Sequence, residues 1–224
     1  MSDTPATAGR LEIVSDAICP WCWIGKAHLD GALAILAEEG LAFDIGWLPY
    51  QLNPDMPAEG VDRRAYRAQK FGSWERSQEL DAQVAEAGRA AGLAFRHDLM
   101  ARTPNTVEAH RLIRLAAPSG VQHAVVDRLF RAYFQEGEDI GDPAVLARLG
   151  AEAGLDEAAL AAISAGEAAR SEVVTESRAL SQAGINGVPS FLLDRHLLFS
   201  GAMPGERMAE AFRQAVAILR SRAA

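Results

Sequence analysis

Strand-like sequence lies only near the two ends of this chain, and this limits the folds open to it. Segments 10–16 and 41–49 have the apolar patterns of strands, and segment 20–39 between them has leucines at helical spacing. Two more strand patterns, 190–193 and 197–200, flank a turn and predict an antiparallel hairpin. Because two strands are not stable alone, the pairs at the two ends must join in one sheet.

The element order predicts an α/β protein of the type βαβ…ββα, with a four-stranded mixed sheet and a large all-α insertion. The first two strands are expected to be parallel, because a crossover helix joins them. Residues 1–54 and 184–224 form the predicted sheet domain, and residues 55–183 form the predicted helical insertion. Within the insertion, Asn105 followed by Glu108 predicts a capping box at a helix start.

The only two cysteines of the chain lie together in Cys19-Pro20-Trp21-Cys22, where the first strand passes into the first helix. At the helix start, free backbone N–H groups and the helix dipole favour a negatively charged sulfur at Cys19, and the thiolate is the reactive form. Cys22, one turn further, is expected to be more buried and to act as the resolving thiol. Pro20 suits a first helical turn, and Trp21 provides an apolar surface for a substrate.

Other interpretations of the cysteine pair are less well supported. A structural zinc site needs four ligands, and the chain has no second cysteine pair and no closely spaced histidine pair, so we expect no metal. The five histidines lie at positions 28, 97, 110, 123 and 196. A chain of 224 residues does not need a disulfide to fold, and a reducing compartment disfavours one. A chance pair of buried thiols stays open.

Charge and composition exclude several classes of protein. The net charge is −8, which argues against binding to nucleic acid or to a negatively charged membrane surface. The first ten residues are polar and do not resemble a signal peptide, and no apolar run predicts a membrane span, so we expect a cytoplasmic protein. The basic run DRRAYRAQK (62–70) is interpreted as a solvated helix face. Oligomeric state stays open, a homodimer included.

Several blocks in one order resemble the DsbA family of thioredoxin-fold oxidoreductases, and in particular its FrnE-like branch, across nearly the whole chain. The blocks are SDAICPWCWIGK, QLNPDMPAEG, NTVEAHRLI, LFRAYFQEGEDIGD and GVPSFLLDRHLLFSGAMP. The resemblance implies that the four-stranded sheet is a thioredoxin-like fold. The same superfamily includes the 2-hydroxychromene-2-carboxylate isomerases and the kappa-class glutathione transferases.

The resemblance also implies roles for individual residues. Cys19 would be the attacking cysteine and Cys22 the resolving one, with Pro189 as a cis-proline that faces them. Val188 would offer backbone groups to an extended substrate. Asn53 resembles a glutathione-contacting position of the glutathione-using relatives, although it can equally cap the turn that it begins.

We therefore expect a thiol–disulfide oxidoreductase or isomerase that acts on a protein or small-molecule substrate and needs no cofactor, with glutathione left open as a co-substrate. Two alternatives remain. The first is a glutathione-dependent isomerase or transferase, although those relatives typically have serine at the position of Cys19. The second is a chaperone-like binding protein without turnover. Asp16, three residues before Cys19, either accepts a proton near the pair or ends the first strand.

Overall fold

The computed structural model describes residues 7–223 as helices and strands that follow the predicted order. In chain order the elements are β1 (Arg10–Ser15), α1 (Pro20–Glu38), β2 (Asp44–Pro49), β3 (Val61–Asp62), α2 (Arg63–Phe71), α3 (Trp74–Ala90), β4 (Arg102–Thr103), α4 (Val107–Leu115), α5 (Gln122–Phe134), α6 (Pro143–Glu152), α7 (Glu157–Ser164), α8 (Arg170–Gln182), β5 (Ser190–Leu193), β6 (His196–Ser200) and α9 (Gly205–Ala223).

The main sheet has the strand order β2-β1-β5-β6 and joins the two ends of the chain. Strands β1 and β2 are parallel, whereas β1 with β5 and β5 with β6 are antiparallel. β1 is buried on both faces, which agrees with its central position: Ile13 belongs to the main core with Leu29 and Phe212, and Val14 packs with Ile185 on the other face. The predicted thioredoxin-like fold with its mixed four-stranded sheet is confirmed.

The insertion between β2 and β5 contains α2 to α8 and is mainly helical. It also contains a short antiparallel ribbon, in which β3 pairs with β4, and the sequence did not predict it because two-residue strands have no readable period. Its core is continuous with that of the sheet, since Trp23 of α1 stacks on Phe134 of α5 at 5.6 Å between ring centroids. The domain boundaries stay a prediction, and residues 1–6 and 224 lie outside the described residues.

The capping box expected at Asn105 is wrong. Helix α4 begins two residues later, and Asn105 accepts a hydrogen bond from the Val107 N–H at 3.0 Å while its amide donates to the Met56 carbonyl at 2.6 Å. Glu108 forms an ion pair with Arg111 instead of reaching back to the helix start. A nearby guanidinium is a stronger partner for a carboxylate than a neutral backbone N–H.

A glycine allows α1 to lie against the start of β5. A Cβ atom added to the buried Gly25 would lie 2.7 Å from Cγ of Pro189, well inside van der Waals contact. Any side chain at position 25 would overlap Pro189. Glycine at this position therefore allows α1 to pack closely against the segment that precedes β5.

We predict that Gly25→Ala lowers the free energy of unfolding by about 1–3 kcal/mol, because the new methyl group overlaps the Pro189 ring. Urea unfolding measures this change. Gly31→Ala is the matched control on the same helix, since its added Cβ meets no atom within 4 Å and should stabilise the protein by about 0.5–1 kcal/mol. Equal effects of the two substitutions would contradict the close packing at Gly25.

Candidate functional site

The cysteine pair lies where β1 ends and α1 begins, as the sequence predicted. Cys19 is the N-cap residue of α1 and Pro20 is the first helical residue, where its missing N–H is not needed. The Cys19 carbonyl accepts the first helical hydrogen bonds, from the N–H groups of Cys22 at 3.0 Å and Trp23 at 3.4 Å. The side chain of Cys19 makes no capping hydrogen bond and is directed elsewhere.

The two thiol groups are free and lie 3.5 Å apart, close enough for exchange chemistry. Both are buried, although Cys19 borders a cavity and Cys22 does not. The Cys19 thiol donates to the Val188 carbonyl at 3.7 Å, and the peptide bond between Val188 and Pro189 is cis. The fold thus brings Val188, which is far away in the sequence, next to the first cysteine.

The environment of Cys22 makes its thiol hard to ionise. Burial raises the pKa of Cys22 well above its ordinary value, and the neighbouring Cys19 raises it further by hydrogen bonding and by charge repulsion. Contacts with the Ser15 side chain and the Asp16 backbone lower this pKa in part. Cys22 therefore keeps its proton at neutral pH, and this suits a thiol that reacts second.

We predict that this buried thiol makes the folded protein less stable in alkali. Below its ordinary pKa of 9.0, Cys22 is protonated in both folded and unfolded chains, so its contribution to stability is complete there. Above that value the unfolded chain releases the proton while the folded protein keeps it, and the free energy of unfolding falls by up to about 1.4 kcal/mol per pH unit.

Urea unfolding in reductant at about pH 8 and about pH 10 measures this contribution when wild type and Cys22→Ala are compared. The variant should lose less stability between the two pH values, whatever its stability at the lower one. A fall of the same size in both proteins would contradict a raised pKa at Cys22.

Asp16 lies directly after β1 and is fully buried. Its Oδ2 accepts a hydrogen bond from the Leu52 N–H at 2.8 Å, and His110 Nε2 lies 3.3 Å from its Oδ1. The same His110 nitrogen lies 3.1 Å from the Tyr50 carbonyl. Asp16 therefore ends the strand, and it also holds in place the loop that carries Asn53.

A cavity of about 420 Å³ opens beside Cys19, between the sheet and the insertion. Of the residues predicted to bind substrate, Pro20, Trp21, Asn53 and Val188 line this cavity. Trp21 is 44% exposed at the edge of this cavity. Pro189 does not line the cavity, and its ring packs against Gly25 instead.

The interpretation of residues 62–70 as a solvated helix face is wrong for one side of α2. Arg63 is buried, and it lines the cavity together with Tyr66, Arg67 and Lys70. These four positions have the spacing i, i+3, i+4 and i+7, which places them on one face of a helix. This periodicity was available in the sequence, but it does not show whether the polar face of a helix is buried or exposed.

The inner wall of the cavity contains a charged cluster around Asp81. Arg63 and Arg67 each donate to this carboxylate at 2.7 Å, and Arg67 Nε also donates to Ser77 Oγ at 2.6 Å. Burial lowers the pKa of the adjacent His97, Asp81 offsets this in part, and the two guanidinium groups lower the pKa further. Two cations thus share one anion at the end of the cavity.

Metal binding and membrane insertion have no support in the described part of the chain. Within residues 7–223, no group of three or more His, Cys, Asp and Glu side chains is arranged to hold a metal ion. No helix in the same range has both the length and the apolar character of a membrane span.

A thioredoxin-like sheet with two free cysteines at the start of its first helix is typical of proteins that exchange thiols and disulfides. Comparison with known families agrees. Residues 10–214 match the DSBA-like thioredoxin domain, and the chain belongs to this family.

The chain is also similar to individual proteins. The chain is 26% identical over 210 residues to the uncharacterized protein YwbO of Bacillus subtilis (strain 168), covering 92% of this chain and 95% of that one. The crystal structure of the probable DsbA oxidoreductase SCO1869 from Streptomyces coelicolor matches with a TM-score of 0.80 and 33% identity, over 92% of this chain and 89% of that chain. The cytosolic disulfide reductase DsbM from Pseudomonas aeruginosa with GSH shares the fold, with a TM-score of 0.59 and 24% identity over 95% and 98% of the two chains.

Proposed function

We propose that this protein is a thiol–disulfide oxidoreductase in which Cys19 is the nucleophile and Cys22 is the resolving thiol. The observation that supports this most is the difference between two free thiols 3.5 Å apart. Cys19 borders the cavity at a helix start, whereas Cys22 is enclosed and its pKa is raised. The Cys19 sulfur is therefore accessible to a substrate, whereas the Cys22 sulfur is positioned to react with Cys19.

The reaction in the reductive direction follows from these positions. The Cys19 thiolate attacks one sulfur of a substrate disulfide, and the other substrate sulfur leaves as a thiolate that takes up a proton. Cys22 then attacks the Cys19 sulfur of the mixed disulfide, and its proton passes to the second substrate sulfur, which leaves as a thiol. The substrate disulfide gains two electrons, and the cysteine pair loses two as it forms a disulfide. The same steps in reverse oxidise a dithiol.

The substrate would lie between Trp21 and the chain before β5. The Val188 carbonyl, 3.7 Å from Cys19 Sγ, offers a backbone acceptor to a substrate N–H beside the reacting sulfur. Trp21 offers an exposed apolar surface at the cavity edge. Pro20 stiffens the turn between the cysteines, and Pro189 supports α1 through its contact with Gly25.

We predict that Cys22→Ser accumulates a mixed disulfide through Cys19, because serine cannot displace the bound substrate. Intact mass spectrometry after brief exposure to a small disulfide detects the added thiol. Cys19→Ser is the matched control and should capture no substrate, since Cys22 is buried away from the cavity. Capture by Cys19→Ser but not by Cys22→Ser would reverse the two roles, and capture by neither would reject the mechanism.

A glutathione-dependent isomerase or transferase is the second candidate. It is favoured by Asn53, which faces the cavity beside Cys19 and has its side-chain oxygen held by Tyr66 at 2.5 Å and Lys70 at 3.1 Å. DsbM, which has a similar fold, has a solved structure with GSH. If this candidate is correct, a variant with both cysteines changed to serine still binds glutathione and still turns over substrate. Our proposal requires instead that this variant loses all turnover.

A binding protein without turnover has one supporting observation. Trp21 and Leu52 are both exposed apolar residues that border the cavity, and such a surface suits an unfolded polypeptide. A variant with both cysteines changed to serine would then suppress aggregation of an unfolded protein as well as wild type does. The cytoplasmic location, the FrnE-like branch and a homodimer also stay predictions from sequence.

A further inference from the structure

The charges around the cavity suggest which disulfides reach Cys19. We propose that this cavity selects low-mass thiols and disulfides that carry an anionic group such as a carboxylate, with Lys70 and Arg67 as the cations that attract it. The inference rests on the proposed function, because it names the substrate class of the same site. Its experiment separates failure of the selectivity from failure of the exchange reaction.

The cavity is positive although the chain as a whole is strongly negative. The chain has a net charge of −8, yet the ionised residues that line the cavity are Arg63, Arg67 and Lys70 against a single carboxylate, Asp81. A concave site with walls of low polarity concentrates the potential of such charges. We therefore expect this cavity to attract anionic molecules although the chain as a whole has a negative net charge.

No carboxylate of the described residues pairs with the positive charge of Lys70, whose ammonium group also lies 5.2 Å from the centre of the Tyr66 ring. The chain has two lysines, and the buried Lys26 forms ion pairs with Asp30 and Asp127, each at 2.7 Å. Lys70 instead donates to two neutral oxygens, those of Tyr66 at 2.8 Å and Asn53 at 3.1 Å, and it forms no ion pair with any described residue. These two contacts hold the ammonium group at the cavity while leaving its charge uncompensated.

Arg67 adds to this charge from deeper in the cavity. It shares the Asp81 carboxylate with Arg63, so one positive charge is left over in this cluster. Burial lowers the pKa of Arg67, the Arg63 charge lowers it further, and Asp81 offsets this only in part. A bound anion would supply the compensation that the cluster lacks.

The size and the apolar lining of the cavity favour a small molecule. A volume of about 420 Å³ is in the range of small-ligand sites and too small for a folded partner. Phe71, Leu80, Val84 and Met100 also line it and can cover the hydrocarbon part of a ligand. A disulfide with a short anionic chain thus places its sulfur at Cys19 and its charge toward α2.

A series of three symmetric disulfides tests the proposal, since they are similar in size and differ in charge. Dithiodipropionate is anionic, hydroxyethyl disulfide is neutral and cystamine is cationic. The prereduced protein is mixed with an excess of each disulfide, and the single-turnover rate constant is measured. Each value is divided by the rate constant for the reaction of dithiothreitol thiolate with the same disulfide, so that differences in the intrinsic reactivity of the disulfides are removed. We expect the normalised rate for the anionic disulfide to exceed that of the neutral one by about tenfold, and the cationic one to be slowest.

Two variants assign the effect to the cavity. Lys70→Gln, which changes an exposed side chain, should reduce the anionic preference to about threefold or less, and added salt should weaken the preference of wild type. Arg64→Gln is the matched control, because Arg64 lies on the same helix, has the same charge and lies over Trp74 outside the cavity. It should keep the wild-type preference.

The outcomes separate the two proposals. Equal normalised rates for the three disulfides in wild type would overturn the selectivity while leaving the oxidoreductase intact. An equal loss of preference in Lys70→Gln and Arg64→Gln would overturn the role of the cavity, because net charge alone would then explain the rates. No reaction with any of the three, together with no capture by Cys22→Ser, would reject the proposed function itself.

Discussion

The candidate site depends on how closely α1 lies against the chain that enters β5. Gly25 leaves no room for a side chain beside Pro189, and this contact sets the position of the helix whose N-cap is Cys19. Because Pro189 follows Val188 directly, the same contact holds the Val188 carbonyl 3.7 Å from the Cys19 sulfur. Two segments from opposite ends of the chain thereby form one reactive edge of the sheet.

Burial then gives the two thiols different chemistry. Cys22 lies one turn into the helix, and the loss of water around it raises its pKa. Cys19 is equally part of the core but borders the cavity, so a substrate can approach it alone. The proposed order of reaction, first Cys19 and then Cys22, agrees with this difference in access and desolvation.

The sheet, the hairpin and the site of the cysteines could be predicted from the sequence, since each has a local period or a local motif. The inner wall of the cavity could not be predicted in this way. Arg63 and Arg67 are polar residues on a helix, and their burial depends on Asp81, which a different helix provides. The expected pairing of Asn105 with Glu108 was wrong for a similar reason, because the distant Met56 carbonyl accepts from Asn105 and the distant Arg170 pairs with Glu108, which also pairs with the nearby Arg111.

The two parts of the chain thus contribute different properties to one site. The sheet and α1 supply the reacting sulfurs and the adjacent backbone, whereas α2 and α3 supply the charges on the opposite wall. An unpaired charge in a partly enclosed site acts more strongly than one on the open surface, because less water screens it. By the proposed selectivity, the insertion changes which molecules reach Cys19 through the partly buried Arg67 and the exposed Lys70, while the chemistry of the cysteine pair stays the same.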